Sequence, residues 1–339
     1  MSPVKALYVD WHLPRKFQGK NKPSKRPWEI AMTIRTVFFA REMNGLSPIL
    51  YCDQDTYDYY ESVDLIKHFD EVYPILPNDL SFNEFNPSIF WAAGKFLAIQ
   101  HCKEKFLMID LDAEVRFKLD LEKYDVFCAH REEVSKGDLW FYPDIEYLDK
   151  QNYLGAKHNL IWSDMAYNTS LLYFKDLGLA KEYADSALSF IRSVREINPA
   201  FEKVAYILLA EQRFLYEYCR AKDLNVGVLI EGRYVPIGLK NGVAPFIDSN
   251  LEEIAEKGFL HVWGFKNEMH KNKDIEDSFF GSLMSSRLSL RDDIVNSVSK
   301  NHELYVDKYE ISKSNFANFL NSVDDSTQLY NNNINISYV

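Results

Sequence analysis

Apolar residues occur along the first third of the chain in two alternating patterns. Short apolar runs near residues 6–9, 49–52 and 106–109 have the length and composition of buried strands. Residues 28–43 and 88–102 instead repeat apolar side chains at helical spacing, which is typical of a helix with one buried face. Because strands and helices alternate, the pattern predicts a parallel sheet with helical crossovers.

The remaining elements are joined by longer irregular connections. Strands are predicted at 71–76, 125–129 and 168–174, helices at 53–68, 177–195 and 200–220, and short broken strands across 226–262. The aromatic-rich segment 131–163 has no periodicity, and loops of this length tend to be functional. Beyond about residue 271 the chain becomes polar and helix-like, and it ends in an Asn-rich tail over 321–339. We therefore expect an α/β domain over 1–270 and a partly helical C-terminal extension over 271–339.

Residues 13–27 interrupt the pattern with six basic residues and three prolines. The prolines and the lack of periodicity predict a segment without regular secondary structure. Two interpretations stay open. The segment is either a mobile basic loop that folds over an anionic ligand at the end of the first strand, or a solvated surface loop.

The strand at 106–109 ends in two carboxylates, Asp110 and Asp112. Packing preference does not explain them, because charged groups are costly to bury without a partner. In open α/β sheets, ligands bind at the carboxyl ends of the strands. Magnesium prefers oxygen ligands and usually takes one or two carboxylates together with substrate phosphates. The two aspartates therefore predict a metal–diphosphate site, and a strand that simply stops at a solvated Asp is the alternative.

Two polar groups occur where an apolar face is expected. Gln212 falls in the middle of the buried stripe of the 200–220 helix, with Glu211 at its edge. A buried glutamine needs hydrogen-bond partners, which either a polar cavity or the backbone can supply. Asn168 opens a core strand and is suited either to binding a sugar hydroxyl or to an Asx-type turn.

A third group lies near the end of the expected domain. His261 ends an apolar run and is followed by Gly264 and Lys266, so it could bring an imidazole to a metal and an ammonium to a phosphate. A core histidine with satisfied hydrogen bonds is the commoner alternative. Lys95 precedes the acidic strand by one helix and could reach back over the site, but its helical face favours the alternative of a solvent-exposed lysine.

Composition excludes several classes of protein. The chain has 339 residues, of which 47% are apolar and 15% aromatic, and this argues for a folded globular protein. With 39 basic and 50 acidic residues the net charge is −11, which argues against general nucleic-acid binding. Four cysteines without any CxxC pair predict buried thiols in a reducing compartment. No signal pattern or apolar run of membrane-spanning length occurs, so we expect a cytoplasmic protein without a transmembrane segment and leave peripheral membrane contact open.

Taken in order, these motifs resemble those of GT-A-fold glycosyltransferases, and are most similar to glycosyltransferase family eight and related nucleotide-sugar-dependent enzymes. In that family an apolar strand ends in a DxD motif, as Asp110-Leu-Asp112 does here. Four further matches follow in sequence, at Lys95 (usually Arg), Asn168-Thr169, Glu211-Gln212 (commonly Asp-Gln) and His261-x-x-Gly264 followed by Lys266. Lys266 falls one residue earlier than is usual, and the expected Pro-Trp is absent. The resemblance covers about residues 4–270.

The resemblance implies a Rossmann-like GT-A fold with a mixed, mostly parallel sheet flanked by helices. It implies a hexosyltransferase, retaining in mechanism, that uses Mn²⁺ or Mg²⁺ and a nucleotide-sugar donor, a UDP-sugar, for polysaccharide or glycoconjugate synthesis. The acceptor would be a glycan or a small molecule, stacked on aromatic residues of 140–162. Implied metal ligands are Asp110, Asp112 and His261, and implied donor-binding residues are Asp10, Lys95, Asp110, Gly264 and Lys266. Implied catalytic residues around the donor sugar are Asp164, Asn168, Glu211 and Gln212.

Two other functions stay open from the sequence. A degenerate transferase fold that binds a glycan or a partner protein would explain the Lys in place of Arg and the missing Pro-Trp. A phosphatase of the haloacid-dehalogenase type also has a DxD motif after an apolar strand. Against it, Glu114 stands where that motif has Thr, and about three strand–helix units precede Asp110 instead of none.

Overall fold

A seven-stranded mixed sheet forms the centre of the molecule. The computed structural model describes residues 4–133, 163–194, 203–234, 258–262, 265–285 and 288–305. The strands of this sheet are β1 (Lys5–Asp10), β2 (Ser47–Cys52), β3 (Glu71–Pro74), β4 (Phe106–Ile109), β6 (Val126–Glu133), β7 (Met165–Phe174) and β8 (Val226–Tyr234). Two short strands, β5 (Ala113–Val115) and β9 (Phe259–His261), pair separately as a second sheet.

The large sheet has the spatial order β3-β2-β1-β4-β7-β6-β8. β1 runs parallel to β2 and β4, and β2 runs parallel to β3. β7 is antiparallel to both β4 and β6, while β6 is parallel to β8. Every strand except β7 therefore points the same way, and the amino end of β7 lies at the edge where the other strands end. The predicted mixed, mostly parallel, Rossmann-like sheet is confirmed.

Helices cover both faces of this sheet. They are α1 (Leu13–Lys16), α2 (Pro27–Asn44), α3 (Gln54–Ser62), α4 (Ala93–His101), α5 (Leu177–Ser193), α6 (Lys203–Leu208), α7 (Phe214–Ala221), α8 (Phe265–Lys271), α9 (Lys273–Ser285) and α10 (Arg291–Tyr305). A π-helical segment, Leu209–Arg213, joins α6 to α7. Short 3₁₀ turns occur at Ile66–His68 and Leu288–Leu290.

Alternation along β1 divides the core into two layers. Leu7 packs into one apolar cluster, with α4, α5 and α7, whereas Ala6 and Tyr8 pack into the other, with α2, α3, α9 and α10. Successive side chains of a strand point to opposite faces, so a sheet buried on both sides needs continuous apolar runs of this kind. The C-terminal helices thus share a core with β1 and α2. The predicted boundary at residue 270 falls near the end of α8 and stays a prediction.

Two predictions along the chain were wrong. Residues 13–27 were expected to lack regular structure, but residues 13–16 form α1, because Pro14 lies in the first turn, where a missing N–H costs nothing. The helix expected over 88–102 begins only at Ala93, because the Asn86 side chain accepts a hydrogen bond from the Ser88 N–H and forms a turn there. Most of the aromatic segment 131–163 and the tail over 321–339 lie outside the described residues.

All four cysteines are buried free thiols, as the sequence predicts. Among the described helices, none has the length and apolar character that crossing a bilayer requires.

Asp53 is expected to stabilise the fold through two elements at once. Its Oδ1 accepts from the Thr56 N–H (2.9 Å) at the start of α3, and its Oδ2 accepts from the N–H groups of His12 (2.8 Å) and Leu13 (3.0 Å). Asp53→Ala removes the acceptor for three buried donors and should lower the free energy of unfolding by about 2–4 kcal/mol. Urea denaturation measures this loss.

Asp176→Ala is the matched control. Asp176 caps α5 at an exposed position, where it accepts from the Leu179 N–H (3.0 Å). Its removal should cost about 1 kcal/mol. Equal losses in the two variants would contradict the bridging role of Asp53.

Candidate functional site

The small sheet β5–β9 brings His261 to the end of β4. After β4, the Ala113 N–H donates to the Asp110 carbonyl (2.9 Å) and closes a tight turn over residues 110–113, the acidic turn. Ala113 then pairs with His261 across the two strands, and the Val262 N–H donates to the Asp112 carbonyl (3.1 Å). A backbone ladder therefore fixes the histidine beside the acidic turn.

Asp110, Asp112 and His261 each offer a ligand atom, and these three atoms lie within 4.8 Å of one another. His261 Nε2 lies 3.7 Å from Asp112 Oδ2. Burial lowers the pKa of His261, although the Asp112 carboxylate opposes this. A neutral imidazole and two carboxylate oxygens are a donor set that suits a divalent cation such as Mn²⁺ or Mg²⁺.

Each aspartate is also paired with a lysine. Asp110 Oδ1 lies 2.7 Å from Lys95 Nζ, and Asp112 Oδ2 lies 2.6 Å from Lys266 Nζ, which is carried by α8. Burial by itself would raise the pKa of Asp112, but Lys266 and His261 lower it to about 2. Asp112 is therefore ionised at neutral pH. The Lys266 side chain is 40% exposed, so it can exchange its carboxylate partner for an anionic ligand.

Lys95 lies inside the site, and the prediction of a solvent-exposed lysine was wrong. Its Nζ bridges Asp110 and Glu211, at 2.7 Å from each, and its side chain is only 17% exposed. Because α4 starts at Ala93, this lysine lies in the first turn of the helix and faces the carboxyl edge of the sheet. Burial would lower the pKa of Lys95, but the two carboxylates raise it above its ordinary value.

Glu211 and Gln212 lie in the π-helical segment between α6 and α7, and both are buried. Glu211 Oε1 accepts from Lys95 Nζ and from Thr169 Oγ1 (2.5 Å) on β7. π-Helical turns inside α-helices are rare and occur frequently at functional sites. The placement of Gln212 on the core face is confirmed. The π-helical segment is therefore connected to the acidic turn through Lys95 and to β7 through Thr169.

Asn168 is buried in β7 at the same edge of the sheet. Its Oδ1 accepts from the Ser170 N–H (3.0 Å), which is the predicted Asx-type turn, and its Nδ2 donates to Glu132 Oε1 (3.2 Å). Asp164 is exposed just before β7. Within the described ranges it makes no hydrogen bond or ion pair to the other predicted site residues. Gly264 lies outside the described residues.

Asp10 ends β1 at the shared edge, but its carboxylate faces the basic segment. Asp10 Oδ2 lies 2.9 Å from Lys25 Nζ and accepts from the Tyr60 hydroxyl (2.8 Å). The Lys25 N–H donates to Tyr59 Oη (3.0 Å), and the Lys25 carbonyl accepts from Asn301 Nδ2 (3.0 Å). The segment 13–27 therefore reaches the end of the first strand, and the alternative of a solvated loop is wrong for Lys25.

The sequence did not reveal His130 and Glu132, which are buried at the end of β6. His130 lies opposite Asn168 in the register, and its Nδ1 is 3.7 Å from Glu132 Oε1. Burial lowers the pKa of His130 to about 3, so its ring is neutral. The strand was predicted to end at residue 129. The available signal was the polar run His-Arg-Glu-Glu directly after an apolar strand, the pattern that also ends β4.

Lys95→Met tests the bridge between the two carboxylates. Without the ammonium, Asp110 and Glu211 repel each other in a largely buried site, so the free energy of unfolding should fall by roughly 2–4 kcal/mol. Mn²⁺ should restore part of this loss if a cation can take the place of the ammonium.

Lys123→Met serves as the control in the same urea experiment. Lys123 pairs with Asp120 on the surface, with 68% and 64% of the two side chains exposed, so its removal should change stability little. A stability of Lys95→Met equal to that of Lys123→Met would contradict the bridge.

Asp10 predicts a pH dependence of stability. Burial would raise the pKa of Asp10, but Lys25 and Arg15 lower it from 3.8 to about 2. The stabilisation is therefore complete above pH 4 and is lost as the pH falls from 4 to 2, because the unfolded chain takes up the proton first. Wild type should lose about 2 kcal/mol more than Asp10→Asn over this range. Parallel loss in both proteins would contradict the assignment.

Comparison with solved structures finds weak likenesses. GlyE, a glycosyltransferase of Streptococcus pneumoniae TIGR4, is 11% identical with a TM-score of 0.33, over 68% of this chain and 45% of GlyE, so the match spans less than half of that protein. Mouse xyloside xylosyltransferase 1 is 8% identical with a TM-score of 0.37, over 68% of this chain and 85% of the other. The galactosyltransferase LgtC, solved with donor and acceptor sugar analogues, is 9% identical with a TM-score of 0.32, over 66% and 73%.

Comparison of sequences gives a family. No curated protein matches the chain. The model of a family of unknown function, DUF6734, matches residues 72–285, which is more than half of the chain and includes β4, the acidic turn, the π-helical segment and β9. The protein therefore belongs to the DUF6734 family.

Proposed function

We propose that this protein is a metal-dependent glycosyltransferase that moves a sugar from a nucleotide-diphosphate sugar to a glycan or other acceptor. The observation that carries the proposal is the convergence of Asp110, Asp112 and His261, whose ligand atoms lie within 4.8 Å of one another at the carboxyl edge of the sheet. This edge is where ligands bind in open α/β folds. The order of motifs along the chain, which resembles that of family-eight glycosyltransferases, supports the same proposal.

The three residues fit a divalent cation, Mn²⁺ or Mg²⁺. When bound, such an ion neutralises the negative charge that develops on a leaving diphosphate and orients it. Asp112 and His261 would hold the ion, and Asp110 would contact both the ion and the ribose. The low pKa of Asp112 and the neutral ring of His261 mean that neither ligand must lose a proton at neutral pH.

Lys266 is suited to binding the diphosphate. Its ammonium lies 2.6 Å from Asp112 and remains partly exposed, so a cation arriving at the aspartate would free the lysine for a neighbouring phosphate oxygen. Gly264, two residues earlier, is proposed to let the backbone approach the same group. Asp10, held by Lys25 at the end of β1, is proposed to line the nucleotide end of the site.

Glu211, Gln212 and Asn168 are proposed to surround the donor sugar, with Asp164 at the rim. Glu211 uses Oε1 for both Lys95 and Thr169, which fixes the orientation of its carboxylate. A carboxylate fixed in this way can bind a sugar hydroxyl at little entropic cost. The choice of UDP as the nucleotide and retention of configuration follow from the family resemblance. A cytoplasmic location is proposed from the four buried free thiols.

The geometry disfavours a phosphatase of the haloacid-dehalogenase type. Three strands of the sheet precede β4, whereas the nucleophile of that class follows the first strand. Glu114 replaces the Thr of that motif and is fully buried in an ion pair with Arg35. Both features argue against Asp110 as the nucleophile of a phosphatase of this type.

A ligand panel tests the proposal. Wild-type protein is heated with UDP-glucose, UDP-galactose, UDP-N-acetylglucosamine or GDP-mannose, with and without Mn²⁺. At a hundredfold excess over the dissociation constant, the bound donor should add about 2.7 kcal/mol of stability, and only with the metal present. Asp112→Asn should abolish this gain, because it weakens a charged ligand of the ion.

Asp120→Asn is the matched control, since Asp120 is an exposed aspartate paired with Lys123. It should respond to donor and metal like wild type. Release of UDP from the stabilising donor is then measured. Binding without any turnover, with or without acceptor sugars, would favour the degenerate binding protein. A lack of metal-dependent stabilisation by every donor would contradict the proposal.

A further inference from the structure

Behind the acidic turn lies an ion pair that has no exposed surface. Arg35 of α2 donates from Nε to Glu114 Oε1 (2.6 Å) and from Nη2 to Glu114 Oε2 (3.1 Å), and both side chains are 0% exposed. Glu114 follows Asp112 by two residues, on β5. Two parallel N–H···O bonds of this kind define the position and the plane of the carboxylate.

α2 makes a second contact to the same short strand. Thr36 Oγ1 donates to the Ala113 carbonyl at 2.5 Å. Successive residues of α2 therefore hold successive residues of β5. On its other side, β5 pairs with β9, and Ala113 lies opposite His261. The backbone that carries Asp112 is thus held between a helix and the strand that carries the third ligand.

The network extends into the C-terminal helices and to the surface. Arg35 Nη1 donates to the Leu283 carbonyl of α9 (2.9 Å). Arg116 donates to Glu114 Oε2 from Nε and lies 2.9 Å away through Nη2. Two guanidinium groups and one carboxylate leave a net positive charge behind the two aspartates.

A contribution to stability is by itself a weak explanation for a buried ion pair at this position. Burying two charges costs solvation energy, and an apolar pair of similar size often stabilises a fold equally well. What an apolar pair cannot supply is directional bonding to one backbone position.

We propose that Arg35 and Glu114 are positioning residues that set the spacing between Asp112 and His261 required for cation binding. The inference rests on the proposed function of the site and adds residues that contact neither ion nor substrate. Replacing a residue that orients metal ligands without binding the metal itself typically lowers metal affinity by about 10–100-fold.

The test is direct Mn²⁺ binding, measured by electron paramagnetic resonance of the free ion in the full-length protein without donor. In Arg35→Met/Glu114→Leu both charges are replaced together, so no buried charge is left unpaired and Arg116 can reach solvent. The near-ultraviolet circular dichroism should match wild type. The dissociation constant for Mn²⁺ should rise at least tenfold.

Two further variants sharpen the result. Thr36→Val replaces one hydroxyl by a methyl group of nearly the same shape and should weaken Mn²⁺ binding several-fold. This variant provides the test if the double variant does not fold. Arg41→Ala is the matched control on the same helix, because Arg41 pairs with Asp70 at the surface, with 41% and 43% of the side chains exposed. It should bind Mn²⁺ like wild type.

The outcomes separate this inference from the proposed function. If wild type binds Mn²⁺ and the folded double variant binds it within twofold as well, the positioning role is wrong and the metal site stands. The same holds for an unchanged Thr36→Val if only that variant folds. If wild type binds no Mn²⁺, the metal-dependent function fails and the inference fails with it.

Discussion

The proximity of two like charges at the end of one strand constrains the whole site. Asp110 and Asp112 lie on a tight turn, and two neighbouring carboxylates in a half-buried place repel each other unless positive charges lie beside them. Lys95 and Lys266 supply these positive charges, one from α4 and the other from α8. Each lysine thereby ties a different helix to the carboxyl edge of the sheet.

From this constraint the rest of the site follows. Lys95 also pairs with Glu211, and this ion pair connects the π-helical segment to the end of β4. Lys266 lies just beyond β9, the strand that also provides His261. The C-terminal helices are therefore part of the site, since α8 provides an ammonium and α9 provides a carbonyl to Arg35. An ion that binds the aspartates would change the partners of both lysines.

Elements with a clear local pattern of apolar residues could be predicted from the sequence, and elements that form by pairing of distant segments could not. The runs that became β1, β2 and β4, and the acids that end β4, were visible because buried parallel strands are continuously apolar. The pairing of β5 with β9 joins two three-residue strands far apart in sequence, and no local pattern marks it. His261 was a candidate from its place at the end of an apolar run, and only the resemblance of its motif joined it to the two aspartates as a metal ligand.

Local signals also misled in two places. Lys95 was assigned to solvent because it lies off the apolar face of its helix, which Ala93, Phe96 and Ile99 do form, whereas its carboxylate partners come from other elements. Glu132 was missed because β6 continues through an irregularity after Cys128 and is extended by its pairing with β7. Both errors concern charged residues whose partners come from other strands and helices. Burial of such residues follows from tertiary contacts, which propensity does not encode.

The most direct test of the central claim is a crystal grown with Mn²⁺ and measured at a wavelength where manganese scatters anomalously. The account predicts one strong peak coordinated by Asp110, Asp112 and His261, at about 2.1 Å from the nearest ligand atoms, with Lys266 withdrawn from Asp112. A well-ordered site without a peak, with both lysines still paired to the aspartates at saturating Mn²⁺, would contradict it.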